Sequence, residues 1–378
     1  MREVLMVAGE ASGDLHASGV AEELRRCAPE LPLVGIGGAR MERAGVSLLE
    51  HTDRLAVMGF SEVVKHIPKH YRLLAELRAR LRSGRVGLVM LVDYPGFNMK
   101  VAAAAHEAGV PVLYYITPQV WAWGEGRLAK MERIVTKAAV ILPFEEELLS
   151  AHGIDATFVG HPLLDRAAEH MPERAAAREQ LGLPDAAPVL ALFPGSRAQE
   201  IARHLDSFVA TARELERRMD GLRVIVSVAP GITVDPARCP YRLVHAASFT
   251  VWRAADAALS KSGTSTLEAA VAGCPLVVAY RTGALNYAIA RRVVRIPRIG
   301  LVNVVAGREV APEFIQHELR PERVADALEP LLARGSVERE TMLSELAEVR
   351  SRLGEPGAAA RVAELVLSTM KRSEPAPR

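Results

Sequence analysis

The stretch LSKSGTSTLEAAVAGCPLVV, Leu259 to Val278, reads in order as a strand end, a turn of small hydroxylated residues, a helix, a glycine stop and a second strand. Ser262, Gly263, Thr264, Ser265 and Thr266 carry little bulk. A helix starting there presents unpaired N–H groups and the positive end of its dipole, which suits a phosphate group. Gly273 followed by Cys274-Pro275 ends the helix. Glu268 lies one turn inside, within reach of ribose hydroxyls. The competing reading of Ser265-x-x-Glu268 is a capping box, in which the carboxylate only satisfies a backbone donor. The turn is neither a Walker loop nor a G-x-G-x-x-G fingerprint.

The same strand–turn–helix logic recurs outward from this stretch. Val189 to Phe193 is a strand, and FPGSRAQEI (Phe193 to Ile201) follows it with a Pro-Gly turn and a helix expected from Ser196. Arg197 at a helix N-terminus opposes the dipole, a conflict that a bound anion removes; solvation of an exposed guanidinium is the alternative. Upstream, the strand Val4–Ala8 leads into the glycine turn GEASGD (Gly9 to Asp14) and a helix expected over Leu15–Cys27. Gly9 and Gly13 admit close backbone approach, or simply make a βα turn. The apolar run Leu88–Val92 delivers Asp93 to its carboxyl end, where open α/β sheets bind ligands. The bland role of Asp93 is to initiate the turn Tyr94-Pro95-Gly96. After the strand Val110–Ile116, the loop Thr117–Arg127 carries two tryptophans as a binding wall. Strands alternating with helices throughout predict an α/β protein with parallel sheets.

At 378 residues the chain is too long for one ordinary core, so two domains are expected. Lys and Arg number 47 against 45 Asp and Glu, a balance that favours no nucleic acid partner. Cys27, Cys239 and Cys274 are odd in number and far apart, which fits reduced thiols better than disulfides or a metal site. The first apolar run is broken by Glu10 and Asp14, unlike a signal peptide. No run approaches the roughly 18 apolar residues of a membrane span. We expect residues 1–165 to form one domain, 166–187 a charged, alanine-rich linker, 188–340 a second domain, 341–370 helices crossing back to the first domain, and 371–378 a disordered tail.

One segment stands apart. Val57, Met58, Phe60, Val63, Val64 and Ile67 form an apolar cluster that stops at Pro68, and Leu73, Leu77 and Leu81 then repeat along a helix. Lys65, Lys69, Arg72, Arg78, Arg80, Arg82 and Arg85 make the region basic. Basic charge beside an apolar patch suits an anionic membrane surface. From Tyr71 onward the preferred reading is a helix with its leucines in the core; for Val57–Ile67 it is lipid contact.

Nine segments together resemble lipid-A-disaccharide synthases, glycosyltransferases of the GT-B fold. They are GEASGD, GIGGARM (Gly35 to Met41), MGFSEVV (Met58 to Val64), DYPGFN (Asp93 to Asn98), PQVWAW (Pro118 to Trp123), FVGHPLLD (Phe158 to Asp165), FPGSRAQEI, SKSGTSTLEAA and NVVAGREVAPEFIQ (Asn303 to Gln316). Ala8, Ala39 and Val302 depart from the family's usual residues. The resemblance implies two Rossmann-like doubly wound domains facing a cleft, the first for the acceptor and the second for the nucleotide. It implies transfer of 2,3-diacylglucosamine from its UDP conjugate to 2,3-diacylglucosamine 1-phosphate, with inversion, no metal and no other cofactor. Asp93 is the expected catalytic base, with Glu10, His16 and His161 in reserve. Ser12, Gly13, Ser196, Arg197, Ser262, Gly263, Thr264, Thr266, Glu268, Asn303 and Arg308 are the expected substrate and nucleotide contacts. The expected location is the cytoplasmic face of the inner membrane, and a homodimer stays open. Rival readings are a UDP-sugar 2-epimerase, a muropeptide glycosyltransferase, or a non-catalytic nucleotide- or lipid-binding module.

Overall fold

The computed structural model describes residues 2–54, 60–122, 125–283, 287, 292 and 296–372. Among them two parallel sheets organise the chain. The first contains β1 (Glu3–Ala8), β2 (Leu33–Gly37), β3 (Ser47–His51), β4 (Val86–Val92), β5 (Val112–Tyr115), β6 (Lys137–Val140) and β7 (Ala156–Phe158), in the order β3-β2-β1-β4-β5-β6-β7. The second contains β8 (Val189–Phe193), β9 (Arg223–Ser227), β10 (Arg242–Val244), β11 (Ala257–Lys261), β12 (Leu276–Tyr280) and β13 (Glu313–Ile315), in the order β10-β9-β8-β11-β12-β13. β1 and β4 contain no exposed residue. That is the signature of strands covered by helices on both faces, and it explains why they read as unbroken apolar runs rather than alternations.

The strand order reverses once in each sheet, between β1 and β4 and between β8 and β11. At such a switch point the following loops diverge to opposite faces and leave a crevice beyond the carboxyl ends. Ala8 pairs with Val92, and Phe193 with Ser260, so the two central strands of each sheet end within one residue of each other. GEASGD and DYPGF therefore open one crevice, and FPGSR and KSGTST the other.

The chain divides into two compact units, one running to Pro162 and resuming at Glu355, the other spanning Leu163–Gly354. Three expectations need correction. The segment expected as a linker forms helices Leu163–His170 and Arg174–Gln180 of the second unit. Its charge is not a solvated tether: Arg178 is buried and donates to Asp256 Oδ2 at 2.6 Å and to the carbonyls of Ala254, Pro184 and Asp185. The helix Val337–Arg352, which crosses position 341, stays in the second unit through Met342, Leu346 and Val349. Only the helix Ala358–Arg372 joins the first unit, where Val362, Ala363 and Val366 pack with Val4, Met6, Leu88 and Met90.

Third, the helix Phe60–Arg82 runs through Pro68, where the sequence suggested a stop. Leu73, Leu74, Leu77 and Leu81 are buried against Val86, Val89 and Leu91, as preferred for this part of the helix. Its cations are partly spent inside the protein, since Arg80 pairs with Glu3 at 2.5 Å and Lys69 with Glu50 at 3.3 Å. Val57 and Met58 lie outside the described residues, as do the side chains of Phe60, Val63, Val64 and Ile67.

Candidate active site

In the first unit the crevice is built by the ends of β1, β4 and β5. Helix Ala11–Cys27 starts four residues earlier than expected, so Ser12 and Gly13 stand in its first turn. Ser12 is exposed there, whereas Gly13 is buried. A side chain at position 13 would meet Ala8 Cβ at 3.3 Å, so this glycine serves close packing of helix on strand rather than ligand approach. Asp14 is buried and accepts from the N–H groups of Gly38 (2.7 Å), Met41 (3.1 Å) and Arg40 (3.2 Å), which ties the GEASGD turn to the GIGGARM turn.

Asp93 is half-buried beyond β4. Burial pushes its carboxyl above the ordinary carboxylate range, and the negative charge of Glu10 adds to this, against a hydrogen bond from the Tyr94 N–H. Glu10 is exposed at the start of helix Ala11–Cys27, and His16, half-buried, sets its ring edge-on to Tyr115 at 6.4 Å between centroids. The Tyr94 ring lies over Gly9, where a Cβ would come within 2.1 Å of Tyr94 Cδ1. Tyr94 Oη in turn faces His70 Nε2 at 3.2 Å. His161 is buried after β7. The first unit thus collects a carboxyl with raised proton affinity, a second carboxylate beside it and the imidazoles of His16 and His70 around an open strand end. Such a carboxyl is better suited than an ordinary aspartate to accept a proton.

In the second unit Ser196 and Arg197 are exposed, and Arg197 is the residue immediately before helix Ala198–Arg218. Lys261, at the end of β11, pairs with Glu200 Oε1 at 2.9 Å, while Glu200 Oε2 accepts from the Ser196 N–H at 2.9 Å. The Lys261 ammonium and the two hydrogen bonds hold the Glu200 carboxyl below its usual range against the opposing effect of burial. Gly195 (φ +143°) has no room for a side chain, because a Cβ would lie 2.5 Å from Glu200 Cβ. Helix Ser265–Ala272 opens at Thr264 with no side-chain cap, so Thr264, exposed, and Ser262 and Gly263, half-buried, border uncapped backbone. Ser262 Oγ donates to Ile299 O at 2.7 Å.

The capping-box reading of Glu268 fails. Its Oε2 accepts from Trp252 Nε1 at 3.2 Å and its Oε1 lies 3.4 Å from Arg166, so the carboxylate faces away from its own helix start. Trp252 is itself stacked on Phe193 at 3.8 Å. The arrangement offers cations, hydroxyls and backbone donors at one crevice and an oriented carboxylate beside them, the equipment for a nucleoside diphosphate.

Comparisons with known proteins give the chain's family and fold. The family model described as lipid-A-disaccharide synthetase matches residues 4–363. The lipid-A-disaccharide synthase of Anaeromyxobacter dehalogenans (strain 2CP-C) is 42% identical over 379 residues, covering 98% of each chain. The chain belongs to the lipid-A-disaccharide synthase family. The Myxococcus xanthus (strain DK1622) member is 40% identical over 97% of each chain. Among solved structures, the calicheamicin glycosyltransferase CalG4 superposes with a TM-score of 0.66 at 17% identity, covering 99% of this chain and all of that one. A UDP-GlcNAc 2-epimerase from Neisseria meningitidis does so at 0.64 and 13%, covering 97% and 100%. At those identities the likeness is one of fold, GT-B, while the family match excludes the epimerase reading. The protein is a glycosyltransferase that moves 2,3-diacylglucosamine from its UDP conjugate to 2,3-diacylglucosamine 1-phosphate, giving the β-1,6-linked disaccharide and UDP.

Within this lipid-A-disaccharide synthase fold, two expected contacts turn inward and a third is paired at the surface. Thr266 is buried, donating to Gly263 O and accepting from the Val302 N–H, so it shapes the turn from behind. Asn303 is buried, and its amide is used on both sides: Nδ2 donates to Ala311 O (2.7 Å) and Glu313 Oε1 (2.8 Å), and Oδ1 accepts from Val310 and Ala311 N–H. Arg308 lies past the C-terminal end of helix Leu301–Ala306, against Glu345 (3.0 Å) and Glu348 (2.8 Å) of helix Val337–Arg352. Ser262 donates to Ile299 O, just before the opposite end of that short helix, and Arg308 braces the two helices at the surface. Sequence reading passed over Lys261, Glu200, Trp252 and Tyr114. Lys261 and Glu200 stood inside quoted motifs, but only the β8–β11 pairing brings them together.

Proposed function

We propose that Asp93 is the general base of the transfer and that the turns after β8 and β11 carry the leaving diphosphate. The acceptor's primary hydroxyl gives its proton to Asp93 as its oxygen bonds the anomeric carbon. The bond from that carbon to the UDP oxygen breaks, and the electron pair leaves on the diphosphate. Arg197, Lys261 and the uncapped N–H groups near Thr264 meet that charge, with no metal and no other cofactor called for. Glu268, oriented by Trp252, reaches the ribose. The observation that carries the reading is Asp93: a carboxyl at a switch point whose proton affinity is raised by burial and by Glu10. An ordinary Asp, with a pKa of about 3.9, is a poor base at neutral pH. Asp93→Asn is expected to lower turnover by roughly 10²–10⁴, the usual worth of a general base, with UDP affinity and melting temperature near wild type. Turnover within a few-fold of wild type removes Asp93 and moves the role to His16 or Glu10.

Both substrates carry acyl chains. We propose that the protein works at an anionic membrane surface on the cytoplasmic side, holding it through Val57, Met58, Phe60, Val63, Val64 and Ile67 with exposed Arg78, Arg82 and Arg85 nearby in sequence. Among the described residues no helix is long and apolar enough to cross a membrane.

A further inference from the structure

Beyond β4 the chain takes two successive left-handed residues, Asp93 at φ +46° and Tyr94 at φ +49°. Neither is glycine, so the turn persists only if its surroundings hold it. Two buried side chains from different elements converge on a single atom, the Asp93 carbonyl oxygen. Asn98 Nδ2, in the first turn of helix Pro95–Glu107, donates to it at 2.8 Å, and Tyr114 Oη, from β5, donates at 2.9 Å. The Asn98 amide also reaches Val92 O at 3.1 Å and Val7 O at 3.3 Å, so it clasps the ends of β1 and β4 at the switch point. Asn98 and Tyr114 are both fully buried.

We infer that Asn98 and Tyr114 are positioning residues for the transfer: by pinning the Asp93 carbonyl they hold the left-handed turn that keeps the Asp93 carboxyl beside Glu10. The inference rests on Asp93 being the base. Packing alone does not account for the arrangement, because a phenylalanine at 114 would fill the same space in β5 without reaching the carbonyl. The charged and titratable groups around the Asp93 turn are Glu10 after β1, Tyr94 on the turn itself, His70 against Tyr94, Tyr114 on β5, and Arg127, whose charge acts on Tyr114. Freed from the clasp, the carboxyl gains water and moves from Glu10, and its proton affinity falls toward that of an ordinary Asp.

The test is Tyr114→Phe, which removes one hydroxyl and keeps the ring, with Asn98→Ser read in the same way and deciding the case should Tyr114→Phe not fold. Expected are a ten-fold or greater fall in kcat, KM values within about two-fold of wild type, and an acid limb of the kcat–pH profile displaced to lower pH. An unchanged kcat and acid limb in folded protein overturns the inference. So does a fall in kcat with the acid limb unmoved, which marks general damage to the fold. Asp93→Asn, run alongside, separates this from failure of the base itself: if that variant keeps turnover, Asp93 is not the base, whatever Tyr114→Phe does.

Discussion

Single residues divide into those that face solvent at a strand end and those spent on the protein's own backbone. Arg197 is of the first kind and Asn303 and Thr266 are of the second, while Glu268, its side chain 12% exposed, is held by Trp252 and Arg166 in the first turn of its helix. Charge-assisted hydrogen bonds are worth about 1.5–3 kcal/mol each. Arg197→Ala and Glu268→Gln are therefore expected to weaken UDP binding by roughly ten-fold or more in calorimetry, glutamine retaining an acceptor for Trp252 Nε1. Arg308→Ala is the control. Its guanidinium sits in an exposed ion pair worth about 0–1 kcal/mol, so UDP affinity should not change. Loss of UDP affinity in Arg308→Ala, or its retention in both other variants, contradicts this assignment. The placement of Arg197 and Glu268 was legible because each stands in a local strand–turn–helix pattern. The inward role of Asn303 was not, because its partners Ala311 and Glu313 are fixed only once β13 takes its place beside β12.

At the scale of elements, the loop before helix Pro143–Ser150 is fastened by Glu145. This carboxyl is 3% exposed, with Oε1 accepting from Trp121 Nε1 at 3.0 Å and Oε2 from the Leu142 N–H at 3.1 Å. Burial outweighs both bonds and pushes its pKa to about 7 from 4.5. A folded-state pKa above the unfolded one means stability is fully present below about pH 4.5 and is lost as pH rises through 7. Relative to wild type, Glu145→Gln should therefore gain on the order of 3 kcal/mol between pH 4.5 and pH 8 in urea unfolding. A stability difference that stays flat with pH would show that Glu145 titrates as an ordinary carboxyl. The segment 57–67 carries the other element-scale prediction. Met58→Ser with Phe60→Ser should reduce binding to anionic vesicles and activity on dispersed substrate, with little change in melting temperature. A large drop in melting temperature would instead make these residues core.

For the whole molecule, each unit needs its sheet closed by segments remote in sequence, and the second unit does this with charge. Asp256, 1% exposed, accepts from Arg178 and Arg174 at 2.6 Å each and from the Val189 N–H at 2.9 Å. Removing one partner of a buried pair strands the other, at about 3–5 kcal/mol, whereas an exposed pair such as Glu23–Arg26 is worth about 1 kcal/mol or less. Asp256→Ala should lower the urea midpoint far more than Glu23→Ala. Equal effects would mean that water relieves the stranded arginines. This pair is also why the expected linker is no linker. Its composition was legible, but the aspartate that neutralises Arg178 lies 78 residues away.

The sequence by itself determined what depends on neighbours along the chain. Apolar runs bounded by glycine turns read as buried parallel strands, and a carboxylate ending such a run reads as standing beyond the sheet's carboxyl edge. Asp93 and the turns at 195–197 and 262–266 follow from that. Tertiary structure alone decided strand order, and with it which turns share a crevice. It turned Glu268 toward Trp252 and Arg166, the latter 102 residues distant, and it set Tyr114 under the Asp93 carbonyl. A periodic pattern fixes which face of an element is buried, but not which other element covers it. Those contacts are long in sequence and short in space, so they arise only when the sheets are assembled.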